Sequence, residues 1–153
     1  GKTVRLTMNK LCIDFGSGYN PKKGYKTCDV VTNPMLDYWY DGQNTIVGLE
    51  EASVDVFYLR NVIHHVPDLH KTLSVIKKYL KHKGRLVIID CNKEHFHSNV
   101  ILDKIWYRYV RNDSNIFISE AYRDYMNVLI ALGFKLLYYK QVKEKEITSY
   151  ERN

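Results

Sequence analysis

The sequence predicts an α/β fold: a mostly parallel sheet that closes with a C-terminal antiparallel hairpin. Three observations carry this. Short apolar runs of strand length recur between glycine-rich and charged turns. A clear helical repeat separates two of them. The last two runs are joined only by Lys-Glu-Lys-Glu, too short for a crossover and fit for a hairpin.

In chain order, strands are expected at 11–15, 27–31, 37–40, 54–59 and 85–90. A helix opens at Pro67-Asp68, repeats Leu69, Leu73, Ile76 and Leu80, carries Lys77, Lys78 and Lys81 at its C-terminal end, and is followed by Gly84. A second helix is expected over 99–110, with Ile101, Ile105, Trp106 and Tyr109 on one side. A third spans 119–132, capped by Ser119 and Gly133. Strands at 134–142 and 147–150 form the hairpin. With 153 residues and no linker, repeat or low-complexity stretch, one domain over 1–153 is expected.

Composition excludes several classes. Apolar residues are 45% and charged residues 26%, ordinary for a soluble globular chain. No run is long enough to span a membrane, and the mixed charge of 3–9 is no signal peptide. Cys12, Cys28 and Cys91 lack metal-type spacing and read as buried reduced thiols, so the cytosol is the expected compartment. The net charge of +6 has two readings: a basic face for an anionic partner, or a merely solvated surface, favoured because the lysines fall in helix ends and turns. Abundant Tyr and Lys beside three alanines is the skew of an AT-rich genome, a viral one included.

The first strand ends in Asp14-Phe15-Gly16-Ser17-Gly18. Glycines there let a ligand approach the backbone. A dinucleotide site would need a third glycine and a helix N-terminus for the pyrophosphate. Pro21 stands in the third position, and the run to Gly24 is a turn. The phosphate-binding apparatus is missing.

The stretches LCIDFGSGYNPKKGYKTCDVV, DYWYDG, SVDVFYLRNVIHHVPD and LKHKGRLVIID, in this order and spacing, resemble the class I S-adenosylmethionine-dependent methyltransferases, over about half the chain. The resemblance is to the small type in which an Asn-Pro-x-x-Gly-aromatic turn replaces the first crossover helix. It implies a Rossmann-like, mostly parallel seven-stranded sheet or a reduced form of it, with helices trimmed between the first three strands.

It also implies roles. Asp14, Gly16, Ser17 and Gly18 form the loop under the methionine part of the cofactor. Asp29 accepts the ribose hydroxyls, as an acceptor-only carboxylate can, although an aspartate merely ending a strand looks the same. Asp41 with Gly42 faces the adenine amino group, with Asp-Gly as an ordinary turn the competing reading and Asp37 the competing residue. Leu59, Arg60 and Asn61 pack against the cofactor. His64-His65 stands where the family has Glu-His, so both are candidate catalytic residues, His64 as a base or a holder of an anionic substrate. Tyr38, Trp39 and Tyr40 either stack on adenine or pack in the core. Trp106, Tyr107 and Tyr109 belong to a cover over the substrate opening. Cys91, His95 and His97 read as a polar loop, and no metal site is expected.

The methyl acceptor is not specified. The Asn-Pro-Pro-aromatic, Pro-Cys and Lys-Asp-Lys-Glu signatures of nucleic-acid methyltransferases are absent, which favours an oxygen or nitrogen atom of a small molecule or glycan. Two alternatives stand: a cofactor-binding but inactive partner subunit, and a basic nucleic-acid-binding module, with a viral-type RNA or DNA methyltransferase beside them. A homodimer could cover a thinly protected sheet face.

Overall fold

A computed structural model describes residues 10–153; the stretch 3–9, read above as no signal peptide, lies outside the described residues. Eight strands form one sheet in the order β4-β3-β2-β1-β5-β6-β8-β7. They are β1 (Cys12–Phe15), β2 (Lys26–Asp29), β3 (Tyr38–Tyr40), β4 (Ile46–Val47), β5 (Val54–Arg60), β6 (Leu80–Cys91), β7 (Phe134–Val142) and β8 (Lys145–Arg152). Strands β3, β2, β1, β5 and β6 are mutually parallel; β8 runs antiparallel between β6 and β7, and β4 antiparallel to β3. This is the Rossmann-like sheet with a closing hairpin that the sequence predicts. The eighth strand is the two-residue β4.

Helix α1 (Leu69–Tyr79) follows the predicted repeat, and the Asp68 carboxylate caps it by accepting the Lys71 amide. The other two helices differ from expectation. Helix α2 (Phe96–Ile105) starts three residues earlier than expected and passes into a π-helical turn, Trp106–Val110. Helix α3 covers only Tyr125–Ala131, capped by Asp124 rather than Ser119. Residues before Asp124 are held by tertiary bonds that a helix would break. The Ser119 amide donates to the His64 carbonyl, and the Arg123 guanidinium to the carbonyls of Ile63 and Val66. Gly133, at φ +97°, ends the helix as expected. Asp124→Ala should therefore cost about 1 kcal/mol, read as a melting temperature lower by roughly 2–4 °C; an unchanged melting temperature would place the cap elsewhere.

Right-handed crossovers put the β1→β2→β3 connections on one face of the sheet and the β5→β6 connection on the other. The first two connections carry no helix. Helices α1 and α3 lie together on one face, over Ile13, Phe57, Leu59, Leu86, Ile88 and Tyr150, all fully buried. Among the described residues no helix covers the opposite face, where the alternate residues Val56, Tyr58, Val87, Ile89 and Ile147 stay half-buried. Helix α2 stands at the carboxyl edge, with Phe96 and Val100 against Cys91.

Candidate active site

Chain order reverses between β1 and β5, so a crevice is expected outside their carboxyl ends. The loop after β1 curls back onto β2: the Gly16 and Ser17 amides donate to the Cys28 carbonyl at 2.8 and 3.2 Å, and the Gly18 amide to Asp29 Oδ2 at 2.8 Å. Gly16 has φ +73°, and a Cβ there would stand 2.6 Å from Val62 Cγ2. A Cβ on Gly18 would meet nothing, because that residue faces open space. Asp14 is buried and accepts the Lys22 amide at 2.7 Å, fixing the turn that replaces a crossover helix. Burial pushes its pKa up, against the Lys22 hydrogen bond and the Arg60 charge. Lys22 lays its ammonium over Tyr58, 4.8 Å from the ring centre.

Asp29 ends β2 as expected. Besides Gly18 it accepts the Val30 amide at 2.7 Å, so the carboxylate already organises the rim. Asp41 follows β3 at the same edge. Its Oδ1 accepts the amides of Gln43, Asn44 and Thr45 at 2.8–3.0 Å, and these bonds, Thr45 first, hold its carboxyl below the ordinary range. Asp41 thus shapes the turn with Gly42 and keeps Oδ2 outside it. The competitor Asp37 lies at the amino end of β3 and is engaged with the Thr27 amide and hydroxyl. Arg60 is exposed at the end of β5. The Leu59 side chain points into the core beside Phe57, so strand alternation leaves only its backbone at the crevice. Tyr40 is core, its hydroxyl 3.2 Å from that of Thr72; Tyr38 packs beside it, and exposed Trp39 donates to the Val30 carbonyl.

His64 and His65 lie in a single 3₁₀ turn, Ile63–His65. His64 is buried between two carboxylates, Nδ1 at 2.9 Å from Asp90 and Nε2 at 2.6 Å from Asp103. Burial works against its charge, but the bonds to Asp103 and Asp90 prevail and raise its pKa to about 9. Both its nitrogens are engaged, so in this arrangement it is no free base. His65 places Nδ1 at 2.9 Å from the Phe117 carbonyl and Nε2 at 3.7 Å from Asp103. Burial, then the His64 charge, lower its pKa, leaving it neutral with Nε2 as the acceptor. Its ring meets Tyr107 edge-on at 5.3 Å. From the same segment Arg111 lies over the Tyr19 ring at 3.8 Å, so 106–111 bridges the histidine turn and the glycine loop. Trp106 and Tyr109 remain exposed. Cys91, His95 and His97 do not converge: Cys91 is buried with Phe96, and the His95 ring rests on Asn92.

The sequence reading missed Asp90 and Asp103. Asp90 was visible as an acid at the carboxyl end of a strand. Asp103 was visible only as the residue one helical turn before Tyr107, on the same side.

A Rossmann-like sheet with a glycine loop and acids at the switch-point edge defines an α/β protein of the doubly wound class, whose ligand crevice lies at that edge. The sequence family described as methyltransferase domain matches residues 41–131, and the chain belongs to it. The match begins at Asp41; the glycine loop joins the matched part through the pairing of β1 with β5. No curated protein sequence matches. Among solved structures, the chain is similar to an S-adenosylmethionine-dependent methyltransferase from Mesorhizobium loti, with 12% identity, 99% of this chain and 96% of that one covered, and a TM-score of 0.66. A methyltransferase of the same description from Aquifex aeolicus shows 14% identity, 99% and 88% coverage and a TM-score of 0.58. The geranyl diphosphate C-methyltransferase of Streptomyces coelicolor A3(2), solved with Mg2+, geranyl diphosphate and S-adenosyl-L-homocysteine, shows 11%, 95% and 71%, and 0.65.

Proposed function

We propose that residues 1–153 form one S-adenosylmethionine-dependent methyltransferase domain acting on an oxygen or nitrogen atom of a small molecule or glycan. The observation that carries this reading is the Gly16–Gly18 loop, tied to Asp29 and open at Gly18, beside a turn with no phosphate-binding helix. The donor set fits the group. Gly18 leaves room for close approach, Asp29 keeps lone pairs for ribose hydroxyls, Asp41 Oδ2 is free of the turn bonds, and Gly42, Ser17 and the backbone of Leu59 line the same edge. When bound, S-adenosylmethionine supplies a methyl group already activated on a sulfonium. The chain's task is then to orient and to exclude water. Tyr107 and Arg111 close over the crevice, Arg60 offers a cation to an anionic acceptor, and His65 presents Nε2 to the acceptor side while His64 positions Asp103.

Calorimetry with S-adenosylhomocysteine tests the reading directly. Asp29→Ala should weaken that binding by about 10- to 100-fold, the scale of hydrogen bonds lost from a charged acceptor. No binding by the wild type at millimolar ligand sinks the cofactor claim, and an unchanged affinity in the variant removes Asp29 from it.

The sheet face that no described helix covers favours a second reading, a subunit that needs a partner, a second copy included, to cover Val56, Val87 and Ile89. Sedimentation of the pure protein as an active monomer counts against it. The cysteines are free, Cys28 and Cys91 buried, in keeping with a reducing compartment such as the cytosol. Among the described residues no helix is long and apolar enough to cross a membrane.

A further inference from the structure

We propose that His64, His65 and Asp103 form a binding site for one divalent transition-metal ion, Zn2+ by its donor set, with a coordination position open to the acceptor side. The assignment of that side rests on the methyltransferase reading; the metal site itself does not.

Consecutive histidines in the 3₁₀ turn bring the two rings to a centroid distance of 4.1 Å. Each Nδ1 is held from behind, His64 by the Asp90 carboxylate and His65 by the Phe117 carbonyl, both at 2.9 Å. A carboxylate or carbonyl behind Nδ1 is the arrangement that orients metal-ligating histidines and leaves Nε2 to face the ion. Here both Nε2 atoms face one oxygen, Asp103 Oδ2, at 2.6 and 3.7 Å. Two ligands of a tetrahedral Zn2+ stand roughly 3.3 Å apart, given metal–ligand bonds of about 2.0–2.1 Å. The two distances bracket that value, and a small movement of the Asp103 carboxylate evens them. The three donor atoms lie within 4.8 Å of one another.

The surroundings suit an ion with an exchangeable ligand. His64 is closed off, with 6% of its side chain exposed, whereas His65 shows 17% and Asp103 34%. Three protein donors with one accessible side match sites that keep a position for substrate or water, and two histidines with one carboxylate select Zn2+ or a neighbouring transition ion over Mg2+ or Ca2+. The ion takes the place of the proton that His64 Nε2 shares with Asp103, which is released on binding, and Asp103 and Asp90 together balance its two positive charges. The second cluster of donors among the described residues, His64, Asp90 and Cys91, is wholly buried.

Titrating the full chain with Zn2+ against a chromogenic chelator should show one tight equivalent, and Co2+ should give the intense visible absorption of a tetrahedral site. His65→Ala and Asp103→Ala should each weaken Zn2+ binding by about 100-fold or more, the upper end of what loss of outer-shell partners costs. His97→Ala should leave it unchanged. Absence of a stoichiometric equivalent, or equal affinity in the His65 and Asp103 variants, overturns the proposal. S-adenosylhomocysteine calorimetry on the same preparations checks that the variants are folded and separates the two readings. Cofactor binding without zinc removes the metal site alone. Zinc binding that depends on His65 and Asp103, without cofactor binding, supports the metal site and removes the methyltransferase reading.

Discussion

Asp90→Ala is expected to destabilise the fold by about 3–5 kcal/mol, the cost of breaking a buried ion pair from one side. Asp90 is 2% exposed, and its carboxylate accepts from the Ile63 amide, the Cys91 amide and His64 Nδ1. Alanine leaves those three donors without their acceptor and a cationic imidazole with only Asp103 for a counter-charge. Total stability of a domain this size is about 5–15 kcal/mol, so the loss is a large share. Urea denaturation followed by circular dichroism reads it. Asp90→Asn keeps an acceptor oxygen but not the charge and should fall between wild type and alanine. A loss below about 1 kcal/mol for alanine, the scale of an ordinary hydrogen bond, would mean that His64 is neutral and Asp90 is not its counter-ion.

Gly16→Ala should cost about 2–5 kcal/mol, combining about 1–2 for a left-handed residue and about 1–3 for overpacking. The two parts are separable because they have different causes. The first follows from φ +73°; the second from a Cβ placed 2.6 and 3.0 Å from the two γ-methyls of Val62. Valine is stiff about χ1 and cannot swing both methyls away. In a double-mutant cycle, adding Val62→Ala should return the overpacking part and leave the backbone part. Gly18→Ala, with open space around it, should carry the backbone cost alone. Strict additivity of Gly16→Ala and Val62→Ala would refute the contact. Cofactor affinity should fall together with stability in Gly16→Ala, since the same loop carries the Gly18–Asp29 bond.

Much of this architecture was legible in the sequence. Apolar runs of strand length gave β1, which ends at glycines, and β5, and the Leu69–Leu73–Ile76 repeat gave α1, because these elements bury one periodic face each. Asp29 and Asp41 were singled out by the family resemblance, and both stand at the carboxyl edge. What was not legible came from long-range bonds. Helix 119–132 was predicted from its local caps, Ser119 and Gly133, but Arg123 and Ser119 are committed to the histidine turn some sixty residues away. The pair of carboxylates around His64 likewise joins β6 and α2, and no local pattern announces it. Leu59 was assigned by position in the strand, whereas pleating turns its side chain inward.

The trimmed connections divide the crevice into a firm end and a soft one. Strands β2, β3 and β4 are four, three and two residues long and are backed by a helix on one face at most. Their amides belong to the part of the molecule that opens most cheaply to hydrogen exchange, while β5 and β6, seven and twelve residues long, lie in its most protected part. Asp29 and Asp41 ride on the soft strands, and the histidine turn hangs from the firm ones. A nucleoside bound across them must therefore quiet the fluctuations of one half, an entropic toll on affinity that grows with temperature.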